Sequence, residues 1–211
     1  MNRRHVPNLL GIFRIAGSPI LVILILIGGA WGYGSAIALL LLMAISDIID
    51  GRIARRLKVV SPLGIFLDTI SDKIFVAAAL IPMVEHSLIP AWAAFAIIAR
   101  EFAVSGLRSY AAAEGEVISA GSWGKQKLTI TVTALIWRLV DAALSPFGEL
   151  PLLLSWLAAL ATLWPLVLGL ALLWTIGSGL AHFSRAWPLL RRGIKTRKDP
   201  QTAPKTNPEI A

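Results

Sequence analysis

The sequence predicts an all-α, polytopic membrane protein with six transmembrane helices and both termini in the cytoplasm. Three observations carry this. The 211-residue chain is 56% hydrophobic, with a mean hydropathy of +0.73, more apolar surface than a soluble domain of this size can bury. Uncharged stretches near bilayer-spanning length recur along it, and only helices or closed barrels satisfy their backbone in lipid. Lys and Arg cluster at alternate connections between those stretches, as the positive-inside bias requires.

The elements follow in order. Arg3, Arg4 and His5 precede an apolar run from about Pro7 to Ile27. It resembles a signal peptide at first sight, but Arg14 interrupts it and no small-x-small cleavage site follows, so it reads as a retained first span. The glycine-rich stretch 28–34 reads as a turn, and a second helix runs from Ser35 to about Leu57. Ser61-Pro62 breaks the chain. A third helix covers Leu63 to Val84, and a fourth Ala91 to about Ala113. A fifth runs from Trp123 to Leu144, ended by Ser145-Pro146-Phe147-Gly148. From Leu150 to Ser184 the only ionisable side chain is His182. That stretch is too long for one span, so a short surface helix broken near Pro165 and then the sixth span is expected; two full spans are the alternative. Residues 1–198 form one domain, and the polar, proline-containing tail 199–211 is expected to be disordered.

Charge sets the parity. Arg52, Arg55, Arg56 and Lys58 follow the second span; Arg108, Lys125 and Lys127 flank the fourth-to-fifth connection; Arg185, Arg191, Arg192, Lys195, Arg197 and Lys198 follow the last. A seventh span would place that basic tail outside. The formal net charge of +8 therefore reads as membrane topology and anionic headgroup contact rather than nucleic-acid binding. The absence of cysteine excludes disulfides, thiol catalysis and iron–sulfur chemistry.

Against this background stand four aspartates: Asp47-Ile-Ile-Asp50-Gly51-Arg-Ile-Ala54-Arg55, then Gly64-Ile-Phe-Leu-Asp68-Thr-Ile-Ser-Asp72. A carboxylate within a span is costly, and by default marks a functional site. Asp47 and Asp50 lie about 60° apart on one helix, Asp68 and Asp72 about 40° apart on the next. The two helices are antiparallel neighbours, so all four converge near one cytoplasmic connection. With no cation between the members of either pair, they call for a counter-charge from outside the chain. Oxygen-only ligands favour a hard cation such as Mg2+ or Mn2+, and four carboxylates suffice for two. Paired ions suit the clamping of a phosphoanhydride. Gly51, Ala54 and Gly64 leave backbone open to a bulky ligand, and Arg55 offers a fork to a phosphate or a base edge. The structural alternative is a set of snorkelling carboxylates paired with Arg52, Arg55 and Lys73.

The full pattern, D-x2-D-G-x2-A-R-x8-G-x3-D-x3-D, resembles the signature of the CDP-alcohol phosphatidyltransferases at every fixed position. That resemblance implies six transmembrane helices, a homodimer in the cell inner membrane, and a site open to the cytosol and to lipid. It implies that Asp47, Asp50, Asp68 and Asp72 bind two divalent metals, that Asp72 is also the general base on the acceptor hydroxyl, and that Gly51, Arg55 and Ser61 contact the CDP-lipid.

Further motifs narrow the acceptor. Arg100-Glu101-Phe-Ala-Val-Ser105-Gly-Leu107-Arg108, Gly124-Lys125-Gln126-Lys127, and the opening Pro7-Asn8-Leu-Leu with Arg14 resemble the phosphatidylglycerophosphate synthase branch. Asn8 and Arg14 become candidate headgroup contacts. The chain departs from that branch at Gly11, Thr69, Leu128 and Thr131, none of them a carboxylate. Glycerol 3-phosphate brings its own dianionic phosphate, which needs cations beyond those serving a pyrophosphate. Arg100 and Arg108, about 80° apart on one helix, face a shared pocket in this reading, with Lys125 and Lys127 entering from the next helix. Positive-inside anchoring, or a structural Arg100–Glu101 pair, is the alternative.

The expected reaction moves the phosphatidyl group of CDP-diacylglycerol to glycerol 3-phosphate. A cardiolipin synthase using phosphatidylglycerol is the rival within the family, and a metal transporter the rival outside it. No inverted repeat is evident, and the carboxylates lie near one surface rather than at the midplane. Arg138 and Asp141 read as an outer-surface salt bridge, and His5, His86 and His182 as interfacial residues.

Overall fold

The computed structural model describes residues 6–57, 62–116, 122–147 and 151–196. These form seven helices and no strand among the described residues: α1 (Val6–Ile27), α2 (Gly29–Leu57), α3 (Pro62–Glu85), α4 (Ala91–Ala113), α5 (Ser122–Leu144), α6 (Leu152–Ala161) and α7 (Trp164–Thr196). The expected tail, 199–211, lies outside them.

The glycine-rich stretch departs from expectation. Only Gly28 stands between α1 and α2, and residues 29–34 are helical. Gly28 and Gly29 take φ of 68° and 65°, a conformation open to glycine at little cost, so the chain reverses in two residues. Gly32 serves a different need: a Cβ there would sit 2.7 Å from the carbonyl oxygen of Leu24. The glycines thus let α1 and α2 pack in close contact rather than form a loop.

Other boundaries have local causes. Pro62 opens α3, where a missing N–H costs nothing. The end of α3 is a Schellman cap: Leu88 N–H donates to the Met83 carbonyl at 2.8 Å and Ser87 N–H to Val84 at 2.9 Å, with Ser87 at φ 54°. The end of α4 repeats it with Gly115, as Glu116 N–H donates to the Ala111 carbonyl at 2.9 Å. The apolar stretch after Leu150 resolves into two pieces. At ten residues, α6 is about 15 Å long, half of what a span needs; α7 continues for 33 residues.

Three helices are long and apolar enough to cross a bilayer among the described residues, through Leu9–Ile27, Gly29–Ile49 and Trp164–Arg191. The helices α3, α4 and α5 are of similar length, 24, 23 and 23 residues. Each carries several charges, some of them side chains of the candidate site. Large apolar side chains are spread over the surface, while several polar ones lie inside among the apolar core. Trp31, Phe95, Leu152 and Leu173 are more than 70% exposed, whereas Arg14, Ser71, Ser178 and His182 are at most 3% exposed. That distribution is the signature of lipid as solvent.

In the packing, α3 and α2 flank α1, α5 lies against α2 and α7, and α4 docks on α7. Leu21, Leu40, Phe75, Leu80 and Leu139 centre the apolar core. At one end Arg138 ties three elements together. It donates from Nε to the Leu88 carbonyl at 2.7 Å and pairs with Asp141 at 2.7 Å. Its guanidinium also lies 4.6 Å from the Trp164 ring centroid. The expected Arg138–Asp141 pair is therefore present, but as a half-buried clamp rather than a purely external bridge.

Candidate active site

The site begins on α1. Gly11, Arg14, Gly17, Ser18, Leu21 and Ile25 recur at three- and four-residue spacing and form its buried face. Arg14 therefore points inward and is fully buried. Its guanidinium reaches Oδ1 of Asp47 on α2 and, at 2.8 Å, Oδ1 of Asp72 on α3. One cation on the first helix thus gathers a member of each carboxylate pair. The expectation that the counter-charge must come from outside the chain is corrected here: part of it is Arg14, placed by helix periodicity. Arg14 is accordingly an internal partner of the carboxylates. Lys73, offered as a possible structural partner of the acids, instead donates to the Thr69 carbonyl at 2.8 Å.

Of the remaining acids, Asp50 lies within α2 and Asp68 in the second turn of α3, but both side chains are outside the described residues. So are those of Asn8, Gly51, Ala54, Arg55 and Lys125, whose backbones lie in α1, α2 and α5; Ser61 is outside altogether. Gly64 is half-buried on α3. Among the described residues, which include the side chains of two of the four aspartates, no group of three or more His, Cys, Asp or Glu gathers. Those two fit a hard cation in chemistry: carboxylate oxygens from α2 and α3, which among the described residues lie on either side of α1 rather than against each other as expected, converge on one positive centre, and their side chains keep 20% and 36% of their exposure.

A second cluster lies next to the first. Arg100 on α4 is 8% exposed and donates to Glu101 Oε1 at 2.9 Å. The Lys127 ammonium on α5 donates to the other oxygen, Oε2. One carboxylate thereby holds two cations from two helices. A cleft of about 20 Å3 connects the clusters, lined by Asp72, Glu101, Lys127 and Thr131 over a floor of Val76 and Ile97. Its volume admits about one water. Arg108 does not join this cluster. It is exposed on α4, so the shared pocket expected for Arg100 and Arg108 is not formed.

The last helix adds residues the sequence reading passed over. Arg100 also donates from its other terminal nitrogen to Ser178 Oγ on α7, at 3.0 Å. His182, expected at an interface, is buried at 3% exposure, with Nδ1 2.7 Å from the Ser178 carbonyl. The signal was available: Thr175, Ser178 and His182 follow helical spacing within the apolar first part of α7.

Two acids thus meet on a buried arginine, beside two cations on a shared glutamate. A family model described as CDP-alcohol phosphatidyltransferase matches residues 4–175. A CDP-diacylglycerol–glycerol-3-phosphate 3-phosphatidyltransferase of Bacillus subtilis (strain 168) is 35% identical over 204 residues, covering 89% of this chain and 97% of the relative. The enzyme of the same name from Pseudomonas fluorescens is 32% identical, covering 89% and 92%. A CMP-forming cardiolipin synthase of Oryza sativa subsp. japonica is 32% identical, covering 81% of this chain and 57% of that protein. With the aspartate pattern intact and the match spanning most of its length, the chain belongs to the CDP-alcohol phosphatidyltransferase family.

Proposed function

We propose that the protein is the phospholipid-synthesising member of this family that transfers the phosphatidyl group of CDP-diacylglycerol to glycerol 3-phosphate, releasing CMP and forming phosphatidylglycerophosphate. The names of its bacterial relatives support the substrates. The observation that carries the reading is the cleft in which Asp72 and Lys127 face a common space. The reaction needs a proton acceptor and a phosphate-binding cation within one small molecule's length, and a carboxylate and an ammonium lining one cleft support that reading.

In this mechanism Asp47, Asp50, Asp68 and Asp72 hold two divalent cations of the Mg2+ or Mn2+ type. When bound, these supply positive charge against the pyrophosphate and the departing CMP. Gly51, Ala54, Arg55, Ser61 and Gly64 form the CDP-lipid side. Arg100 and Lys127, with Lys125 beside them, bind the acceptor's phosphate in place of Glu101. Asp72 accepts the proton of the acceptor's 1-hydroxyl. The freed oxygen bonds to the lipid-proximal phosphorus as the bond from that phosphorus to CMP breaks. Arg14 keeps Asp72 in line by holding one of its oxygens. Arg108, exposed on α4, takes part only if loading brings it inward.

The same reading places α1 to α5 and α7 across the inner membrane, with both termini and the carboxylates on the cytoplasmic side, and pairs the chain as a homodimer. The Lys and Arg distribution supports the orientation. The test is CMP release by purified protein given CDP-diacylglycerol, Mg2+ and separate acceptors. Release with glycerol 3-phosphate alone is expected. Release with phosphatidylglycerol instead would make the protein a cardiolipin synthase, the reading that the rice relative favours.

A further inference from the structure

We propose that Ser178 and Gly179 of α7 form the seat that aims Arg100 at the acceptor cleft, which makes Ser178 a positioning residue for acceptor binding. This rests on the reading of Arg100 as a phosphate ligand. Both seat residues lie beyond the stretch matched by the family model, which ends at residue 175.

The geometry is specific on three counts. First, the Ser178 hydroxyl donates to the Thr175 carbonyl at 3.0 Å, which fixes its proton and turns a lone pair toward Arg100, 3.0 Å away. Second, Gly179 leaves room for the arginine stem: a Cβ there would lie 3.1 Å from Arg100 Cγ and 3.6 Å from Nε. Third, His182 Nδ1 faces the Ser178 carbonyl at 2.7 Å; a carbonyl only accepts, so Nδ1 carries the hydrogen. That bond fixes the turn of α7 that presents the serine.

The consequence follows from the two ends of one guanidinium. One terminal nitrogen is taken by Ser178 on α7, and the other points to Glu101 at the cleft. An arginine held at both its stem and one nitrogen loses little further freedom when its remaining nitrogen takes a phosphate oxygen. Without the seat, the long side chain samples other rotamers and meets the acceptor less often. The CDP-lipid, placed on the aspartate side, does not draw on this contact.

The test compares Ser178→Ala, Ser178→Thr, Gly179→Ala and Arg100→Gln in the full-length protein, with KM measured separately for glycerol 3-phosphate and CDP-diacylglycerol. Ser178→Ala is expected to raise KM for glycerol 3-phosphate about tenfold, as loss of one charge-assisted hydrogen bond implies, and to leave KM for CDP-diacylglycerol unchanged. Ser178→Thr, which keeps the hydroxyl, restores the wild-type value. Gly179→Ala, which displaces the stem but keeps the serine, raises the same KM and covers the case in which Ser178→Ala does not assemble. An unchanged glycerol 3-phosphate KM in both Ser178→Ala and Gly179→Ala, or an equal rise for both substrates, overturns the seat. If Arg100→Gln raises that KM while the seat variants do not, the acceptor reading stands and the seat alone falls. If Arg100→Gln leaves it unchanged, the acceptor reading fails and the seat with it.

Discussion

Arg14 on α1 donates to Asp72 on α3 at 2.8 Å across 58 residues of sequence, from a position with no solvent exposure. The same nitrogen reaches Asp47 on α2. A buried guanidinium is retained in an apolar environment only when anions surround it, and anions crowded together repel unless a cation separates them. Each side of the contact therefore stabilises the other, and three helices are tied by it.

Replacing Arg14 with Gln leaves those carboxylates facing one another. Without divalent metal the variant is expected to lose about 2–3 kcal/mol, less than a fully buried pair would cost because Asp72 keeps part of its exposure. The measurement is unfolding in detergent with EDTA. Added Mg2+ should then raise the melting temperature of Arg14→Gln more than that of the wild type, since ligand-linked stabilisation grows with affinity and the carboxylates no longer share their charge with an arginine. Equal Mg2+ shifts in the two proteins would count against a metal site at Asp47 and Asp72.

Asp72→Asn separates holding from proton transfer. The amide keeps an oxygen for Arg14, so the three-helix contact survives, but it cannot accept the acceptor's proton. Turnover should fall by about 10^2–10^4-fold, the range for a lost general base, while CDP-diacylglycerol still binds. Near wild-type CMP release from this variant would remove Asp72 from the base role.

How much of this was legible in the sequence depends on what kind of signal each residue gives. The α4 boundaries, Ala91 and Ala113, coincide with the expectation because Pro90 and Glu114-Gly115 punctuate the chain locally. The approach of Asp47 and Asp72 to one centre was legible because a repeated acid in a membrane helix has few structural uses. Arg14 was visible as a residue but not in its role: one arginine in an apolar run reads equally as a snorkelling side chain and as a buried ion. Only its place in the series Gly11, Arg14, Ser18, Leu21, Ile25 decides between them. The stretch 29–34 was misread because glycine signals a turn in water-exposed chain but close helix contact in a membrane. Ser178 and His182 belong to no motif, and the link from Ser178 to Arg100, 78 residues away, belongs to the tertiary fold.

The two glycines near the start of α2 give opposite expectations. At Gly32 an added Cβ would meet the Leu24 carbonyl at 2.7 Å, and backbone cannot swing aside as a flexible side chain can. Gly32→Ala should therefore cost about 1–3 kcal/mol through overpacking. At Gly34 a Cβ meets nothing within 4 Å, so Gly34→Ala should stabilise by up to about 1 kcal/mol through helix propensity. Melting temperatures of the two single variants decide this, and the opposite order would mean that α1 and α2 do not pack as described.

Arg138 is a test of structure without chemistry. Its three partners, the Leu88 carbonyl, Asp141 and the Trp164 ring, join the α3–α4 turn to α5 and α7, and none belongs to the candidate active site. Arg138→Met keeps a long apolar stem and removes the charge, leaving Asp141 half-buried without its partner. The expected loss is about 2–4 kcal/mol of stability. Arg138→Lys should recover only part of it, since an ammonium cannot serve the carbonyl, the carboxylate and the ring face in one plane. At temperatures where the variants remain folded, KM for both substrates should match the wild type. A selective rise in the acceptor KM would instead mean that this clamp, through α5, sets the position of Lys127.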